Sequence, residues 1–88
     1  MIPVAIKVKP LEDYHIHVTF DNNEEKIYDV NPLIQGDWFG QLRDINIFNT
    51  VHVAGISVEW AEGQDVCPDD LYYNSVLIGS EQGHRVTL

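Results

Sequence analysis

The chain has 88 residues, of which 14 are Asp or Glu and 5 are Lys or Arg, giving a formal net charge of −9 with neutral histidines. That balance argues against nucleic-acid binding through a basic surface and against anionic membranes; it either merely keeps a small protein soluble or suits a positively charged protein partner. Hydrophobic residues at 44% and charged residues at 22% are globular values rather than disordered ones, and the length allows one domain with one modest core.

Val4, Ile6 and Val8 alternate with Ala5, Lys7 and Lys9, which predicts a first strand that Pro10 stops. Leu11 to Asp13 connect it to a second strand, Tyr14 to Phe20, with Ile16, Val18 and Phe20 facing inward and His15, His17 and Thr19 outward. Asp21, Asn22, Asn23 and Glu24 form a hairpin turn, because Asn tolerates the left-handed conformation that a two-residue loop demands. The third strand runs from Lys26 to Val30, with Tyr28 and Val30 on one face and Ile27 and Asp29 on the other. Asn31 and Pro32 end it. Trp38, Leu42 and Ile45 then recur at helical spacing beside Phe39, in a short helix that Gly36 and Asp37 start, Asp37 as a candidate cap, and that Gly40 weakens.

Ile47 to Val53 reads as a fourth strand, and Gly55 turns it into a fifth, in which Ile56, Val58 and Trp60 face the core while Ser57 and Glu59 face water. Ala61 to Gln64 make a tight turn, with Gly63 best able to take positive φ. Pro68 suits the first position of a helix, and Asp69 and Asp70 favour the positive end of its dipole. Cys67 falls at the cap position, with Asp65 as the alternative cap. Gly79 to Gly83 reads as a flexible exit, and His84 to Leu88 as either a frayed tail or a last, exposed strand. Together these elements predict an α+β fold, with residues 1–78 as one domain and 79–88 as a flexible C-terminal tail or edge strand. Its centre is one antiparallel sheet of about five strands built from hairpins, covered on one face by one or two short helices.

The stretch with Trp60 closing a strand, Gly63 in the turn, Asp65, Pro68 and the Leu71-Tyr72 pair resembles the C-terminal signature of the bacterial family called domain of unknown function 2442. Phe20, Asp29, Pro32 and Leu42 are similar to positions further upstream in that family, so the resemblance runs over roughly residues 3 to 73. It implies a small α+β domain without an established activity. Such domains are sometimes joined to a helix-turn-helix domain and sometimes encoded beside another small protein in a toxin-antitoxin-like pair. No catalytic residues carry over, and the absence of the helix-turn-helix from this sequence weighs against a direct repressor role.

Among chemistry-bearing residues, His15 and His17 stand two apart on one strand and point to one face, where His52 joins them as a candidate metal ligand if the fourth strand lies near. The competing reading is a solvated outer face. Glu59, Glu62, Asp65, Asp69 and Asp70 gather in one strand-turn-helix unit, but not at calcium-loop spacing, and capping with solvation accounts for Asp65, Asp69 and Asp70. Cys67 has no partner for a disulfide, which suits a reducing compartment. As a thiolate at a helix start it would be opposed by the aspartates around it. The sequence holds no Gly-rich phosphate loop, Walker-type lysine or GxSxG elbow, so no catalytic residue or cofactor is assigned and a non-enzyme is favoured.

Trp38, Phe39, Phe48, Trp60, Tyr72 and Tyr73 suffice to fill a small core. Tyr72 and Tyr73 cannot both face inward on one helix, which makes Tyr73, with Tyr14 and His17 on the sheet surface, the candidate partner contact. MIPVAIKVKP lacks the pattern of a secretory leader and no apolar run reaches membrane-spanning length, so a cytoplasmic protein is expected. The expected function is a protein-binding or regulatory accessory module, such as the antitoxin-like partner of a small neighbouring protein, acting through its acidic surface and an exposed sheet edge. The alternative is a small-ligand or metal-binding domain using His15, His17, His52 and nearby carboxylates. Unpaired edge strands also suit a homodimer.

Overall fold

The strictest alternation in the chain, HIHVTF, builds the strand on which the main sheet is assembled: Ile16, Val18 and Phe20 are buried, while His15, His17 and Thr19 are partly exposed. In the computed structural model, which describes residues 2–78, this strand, β2 (His15–Phe20), lies between β1 (Ala5–Pro10) and β3 (Glu25–Asp29). A last short strand, β6 (Val76–Leu77), pairs with the far side of β3, and every pairing is antiparallel. A second sheet of two antiparallel strands, β4 (His52–Ala54) and β5 (Ser57–Glu59), packs against β1. Helices α1 (Gly36–Phe39) and α2 (Ile45–Phe48) stand between β3 and β4 in the chain, and α3 (Pro68–Tyr73) between β5 and β6.

The fold is α+β and antiparallel, and both expected hairpins are present. Its strands, however, divide four and two between two sheets instead of forming one sheet of about five. The cause lies in the segment read as a fourth strand from Ile47 to Val53. Asp44 accepts a hydrogen bond from the Asn46 backbone N–H at 2.9 Å and caps α2, which carries Ile47 and Phe48 into a helix. Only His52–Ala54 remains for pairing, enough for a hairpin with β5.

Local phase differs in several places. In β1 the pairing passes from Ala5↔Phe20 to Lys7↔Thr19, so Ile6 is the extra residue of a bulge; Ile6 is exposed and Ala5 enters the core. The β2–β3 turn has three residues rather than two: Asn23 N–H donates to Phe20 O, Phe20 N–H donates to Glu24 O, and Asn23 takes the left-handed conformation at φ 73°. In the β4–β5 hairpin the two turn residues are Gly55, φ 60°, and Ile56. Ile56 is therefore exposed, and Ser57 is buried instead, its Oγ donating to Val66 O at 2.6 Å.

The predicted helix at 36–45 breaks into α1, a 3-10 turn at Gly40–Arg43 and α2, so of Trp38, Leu42 and Ile45 only Leu42 is buried. Asp37 lies in the first turn of α1 and Gln35 holds the cap position. Cys67 is the cap residue of α3, as read, and no side chain, Asp65 included, bonds to that helix end. The readings for Gly79 to Gly83 and His84 to Leu88, and so the tail assigned to 79–88, lie outside the described residues. The core joins Ile16, Val18 and Phe20 of β2 to Leu42, Phe48, Val58, Trp60 and Leu71, each buried side chain stabilising the fold by about 1.5–3 kcal/mol. Among the described residues no helix is long and apolar enough to cross a membrane.

Candidate functional site

Trp60 leaves the end of β5 fully buried, its Nε1–H donating to Phe48 O at 2.9 Å. The turn after it closes on itself: Gly63 N–H donates to Trp60 O and Trp60 N–H to Gln64 O, both at 2.9 Å, with Gly63 at φ 96°, a conformation open to glycine. Gln64 is buried, and its Nε2 donates to Trp38 O at 2.7 Å and lies 3.3 Å from Gln41 Oε1, while its own Oε1 has no partner among the described residues.

The indole of Trp38 completes this exchange. Its Nε1–H donates to Glu62 O at 3.2 Å. One ring edge lies against Gly63, where a Cβ would stand 3.5 Å from Trp38 Cζ2. Phe39 meets the ring edge-on at 5.3 Å. A tryptophan whose spacing places it in a core is thus held on the surface, 50% exposed, with the exposed Asp37 and Glu62 as its neighbours.

On the other side of the unit, α3 is fastened to β3. Leu71 enters the core, and the Tyr72 ring meets Phe20 edge-on at 5.1 Å. Lys26 is buried, donating from Nζ to Tyr72 O at 2.6 Å and sitting 3.8 Å from the centre of the Tyr72 ring, which offsets the cost of burying its charge. The Tyr72 hydroxyl donates to Glu24 Oε1 at 2.6 Å, and that bond lowers the Glu24 carboxyl below its usual range and raises Tyr72. Tyr28 donates to Asp70 Oδ2 at 2.5 Å, and burial first, then that bond, pushes its hydroxyl well above the usual range. Of the signature residues, Trp60, Gly63, Pro68, Leu71 and Tyr72 all have structural roles; nothing in the structure explains the side chain of Asp65.

The outer face of the main sheet carries the histidines. His15 Nε2 lies 3.7 Å from Asp29 Oδ1, His17 Nε2 lies 3.0 Å from Glu25 Oε1, and on the small sheet His52 Nε2 lies 3.3 Å from Glu59 Oε2. His15–Asp29 and His52–Glu59 are directly opposite cross-strand pairs, and His17–Glu25 is a diagonal pair across β2 and β3, Glu25 standing opposite Thr19. The Thr50 carbonyl, and secondarily Glu59, raise His52 above its usual value. Burial works to raise the Asp29 carboxyl, but hydrogen bonds from Asn31 outweigh it and the net effect is to lower it.

Each candidate metal ligand is therefore engaged by its own carboxylate, His52 stands on the other sheet, and among the described residues no group of three or more His, Cys, Asp or Glu is placed to hold a metal ion. Two half-open grooves mark this outer face. One, of about 410 Å³, is lined by His15, Ile27, Asp29, Asn74, Val76 and Ile78; the other, of about 340 Å³, by residues of β1 to β3 that include Lys7, Lys9 and His17. Neither reaches Cys67 or His52.

The three candidate contact residues do not share a setting. Tyr14 is anchored internally: its hydroxyl donates to Arg43 O at 2.6 Å, its ring meets Phe48 edge-on at 5.2 Å, and its backbone is held at φ 61°. His17 is partly buried in the smaller groove. Tyr73 alone is freely exposed, at 65%, on α3. Among the described residues every ion pair within 4 Å joins a histidine to a carboxylate. Glu12, Asp13, Asp37, Glu62, Asp65 and Asp69 are exposed without a described cation beside them. Trp38 and Lys26 are what the sequence reading missed. Lys26 shares the inward phase of Tyr28 and Val30, which was signal enough; for Trp38 the only signal was Gly40 breaking the helix.

The sequence model of the family described as "Protein of unknown function (DUF2442)" matches residues 5–76. No curated protein and no solved structure matches the chain.

Proposed function

The chain belongs to the family described as protein of unknown function DUF2442, the match running from β1 into β6, and from that premise we propose that it is a protein-binding accessory module for a positively charged partner protein. The observation that carries this reading is the acidic surface: the chain bears a net charge of −9, and its described ion pairs use histidines, not lysines or arginines. The described cations are occupied or peripheral. Lys26 is buried against Tyr72, Arg43 donates to Asn31 Oδ1 and covers Tyr14, and Lys7 and Lys9 stand on the edge strand β1. Carboxylates left without a cation attract one from outside and speed its encounter. An antitoxin-like protein that neutralises a small neighbouring protein is one form of this function. Cytoplasmic residence accords with the exposed free Cys67. A homodimer through β1 is the competing assembly, opposed by the self-repulsion of two acidic chains and by the edge lysines.

The test is to immobilise the protein, pass over it a lysate of its own cells at low ionic strength, identify what is retained, and measure the purified partner's affinity at two salt concentrations. The expected result is one basic protein whose dissociation constant rises steeply with salt. If no basic protein binds at low salt, the reading is wrong.

A further inference from the structure

We infer that the exposed indole of Trp38, with the exposed Asp37 before it in the chain and the exposed Glu62 holding its Nε1–H through the backbone carbonyl, is the seat of a lysine- or arginine-bearing segment of the partner. This rests on the proposed function above and assigns it a place. An indole is the strongest aromatic acceptor of a cation. Among the described residues, the cations that lie over rings lie over tyrosines, Lys26 on Tyr72 and Arg43 on Tyr14, and none lies over Trp38. Trp38 is 50% exposed while Trp60 is fully buried, so the exposure is particular to this indole.

The ring is also fixed before anything binds. Its Nε1–H is tied to Glu62 O, its backbone carbonyl accepts from the buried Gln64, and Gly63 and Phe39 support it. A partner therefore meets an ordered aromatic surface with little conformational freedom left to lose, as at the tryptophan anchors of protein interfaces. Asp37 and Glu62 are exposed, and neither carboxylate has a described hydrogen bond or ion pair to surrender. The charge selects the occupant: a second copy of this chain, or an acidic peptide, would bring like charge to the same place.

Decalysine is the probe, titrated at low ionic strength while tryptophan emission is followed and calorimetry gives the dissociation constant. The native protein should bind with a saturable change in emission. Trp38→Ala should weaken binding by about tenfold, with Trp38→Phe in between, and Asp37→Asn/Glu62→Gln by about fivefold. Glu12→Gln/Asp13→Asn removes the same charge from the exposed turn before β2 and should change binding by less than about twofold. Circular dichroism checks that each variant is folded; the two charge pairs, which break no described contact, carry the test if Trp38→Ala is not. Equal weakening by both charge pairs would overturn the assignment to Trp38 while leaving an acidic binding module standing. No binding of decalysine to the native protein at low salt would overturn both.

Discussion

Trp60 and Trp38 each donate an indole N–H to a backbone carbonyl, Phe48 O at 2.9 Å and Glu62 O at 3.2 Å, yet Trp60 is fully buried and Trp38 is 50% exposed. One turn serves both. Residues 60 to 64 close over Trp60 through Gly63 and Gln64, and the same Gln64 and Glu62 reach outward to hold Trp38. Around Trp60 the ring is enclosed by the core and its indole N–H is paired, as stability requires. Around Trp38 the hydrogen bonds fix the ring without covering it, an arrangement that adds less to stability than the burial of Trp60.

The largest effect should come from Trp60→Ala, which empties the centre of the core and costs about 3–5 kcal/mol in urea denaturation, a large share of the stability of so small a domain. A cost for Trp38→Ala of similar size would break the comparison. Next, Gly63→Ala should cost about 1–3 kcal/mol, because φ 96° strains any L side chain, and should disturb both tryptophans at once. Trp38→Ala itself should cost about 2 kcal/mol, the worth of one hydrogen bond and half a buried ring, while its effect on decalysine binding is large.

The smallest effects are those of pH. His52 is raised above 6.5, so its contribution is complete below that pH and is lost as pH climbs through the folded value. Glu24 is lowered below 4.5, so its contribution is present above that pH and is lost as pH falls through the folded value. Melting temperature should therefore be highest between these limits and decline gently on both sides, since His52 is exposed and Glu24 only partly covered. Tyr72→Phe should remove part of the acid-side slope, because the Asn22 bond to Glu24 and the lowered Asp29 remain, and Glu59→Gln only part of the alkaline-side slope, because the Thr50 carbonyl remains.

How much of this could be read in the sequence follows from the range of the forces involved. HIHVTF alternates so strictly that β2 and its inward face were legible, and the Gly63 turn and the Pro68 helix start follow from single-residue preferences. Ile6 falls out of its alternation because a bulge shifts phase by one residue, and Ile56 because the alternation of β5 is carried past the strand into the turn, while Val58 and Trp60 keep the inward phase. The four-and-two division of the strands depends on Asp44 capping α2, a competition between helix and strand within IleAsnIlePhe that the apolar pattern does not decide. Of the candidate contact residues, Tyr73 is on the surface as read, whereas the anchoring of Tyr14 by Arg43 and the pairing of His17 with Glu25 depend on tertiary contacts and register. Trp38 was placed in the core because an aromatic at helical spacing normally belongs there.

The most direct test of the central claim uses the two indole N–H signals in a nitrogen-15 correlation spectrum, followed while decalysine is added at low ionic strength. The account predicts that the Trp38 signal moves saturably and the Trp60 signal stays in place. A stationary Trp38 signal with bound peptide, or equal movement of both, would contradict it.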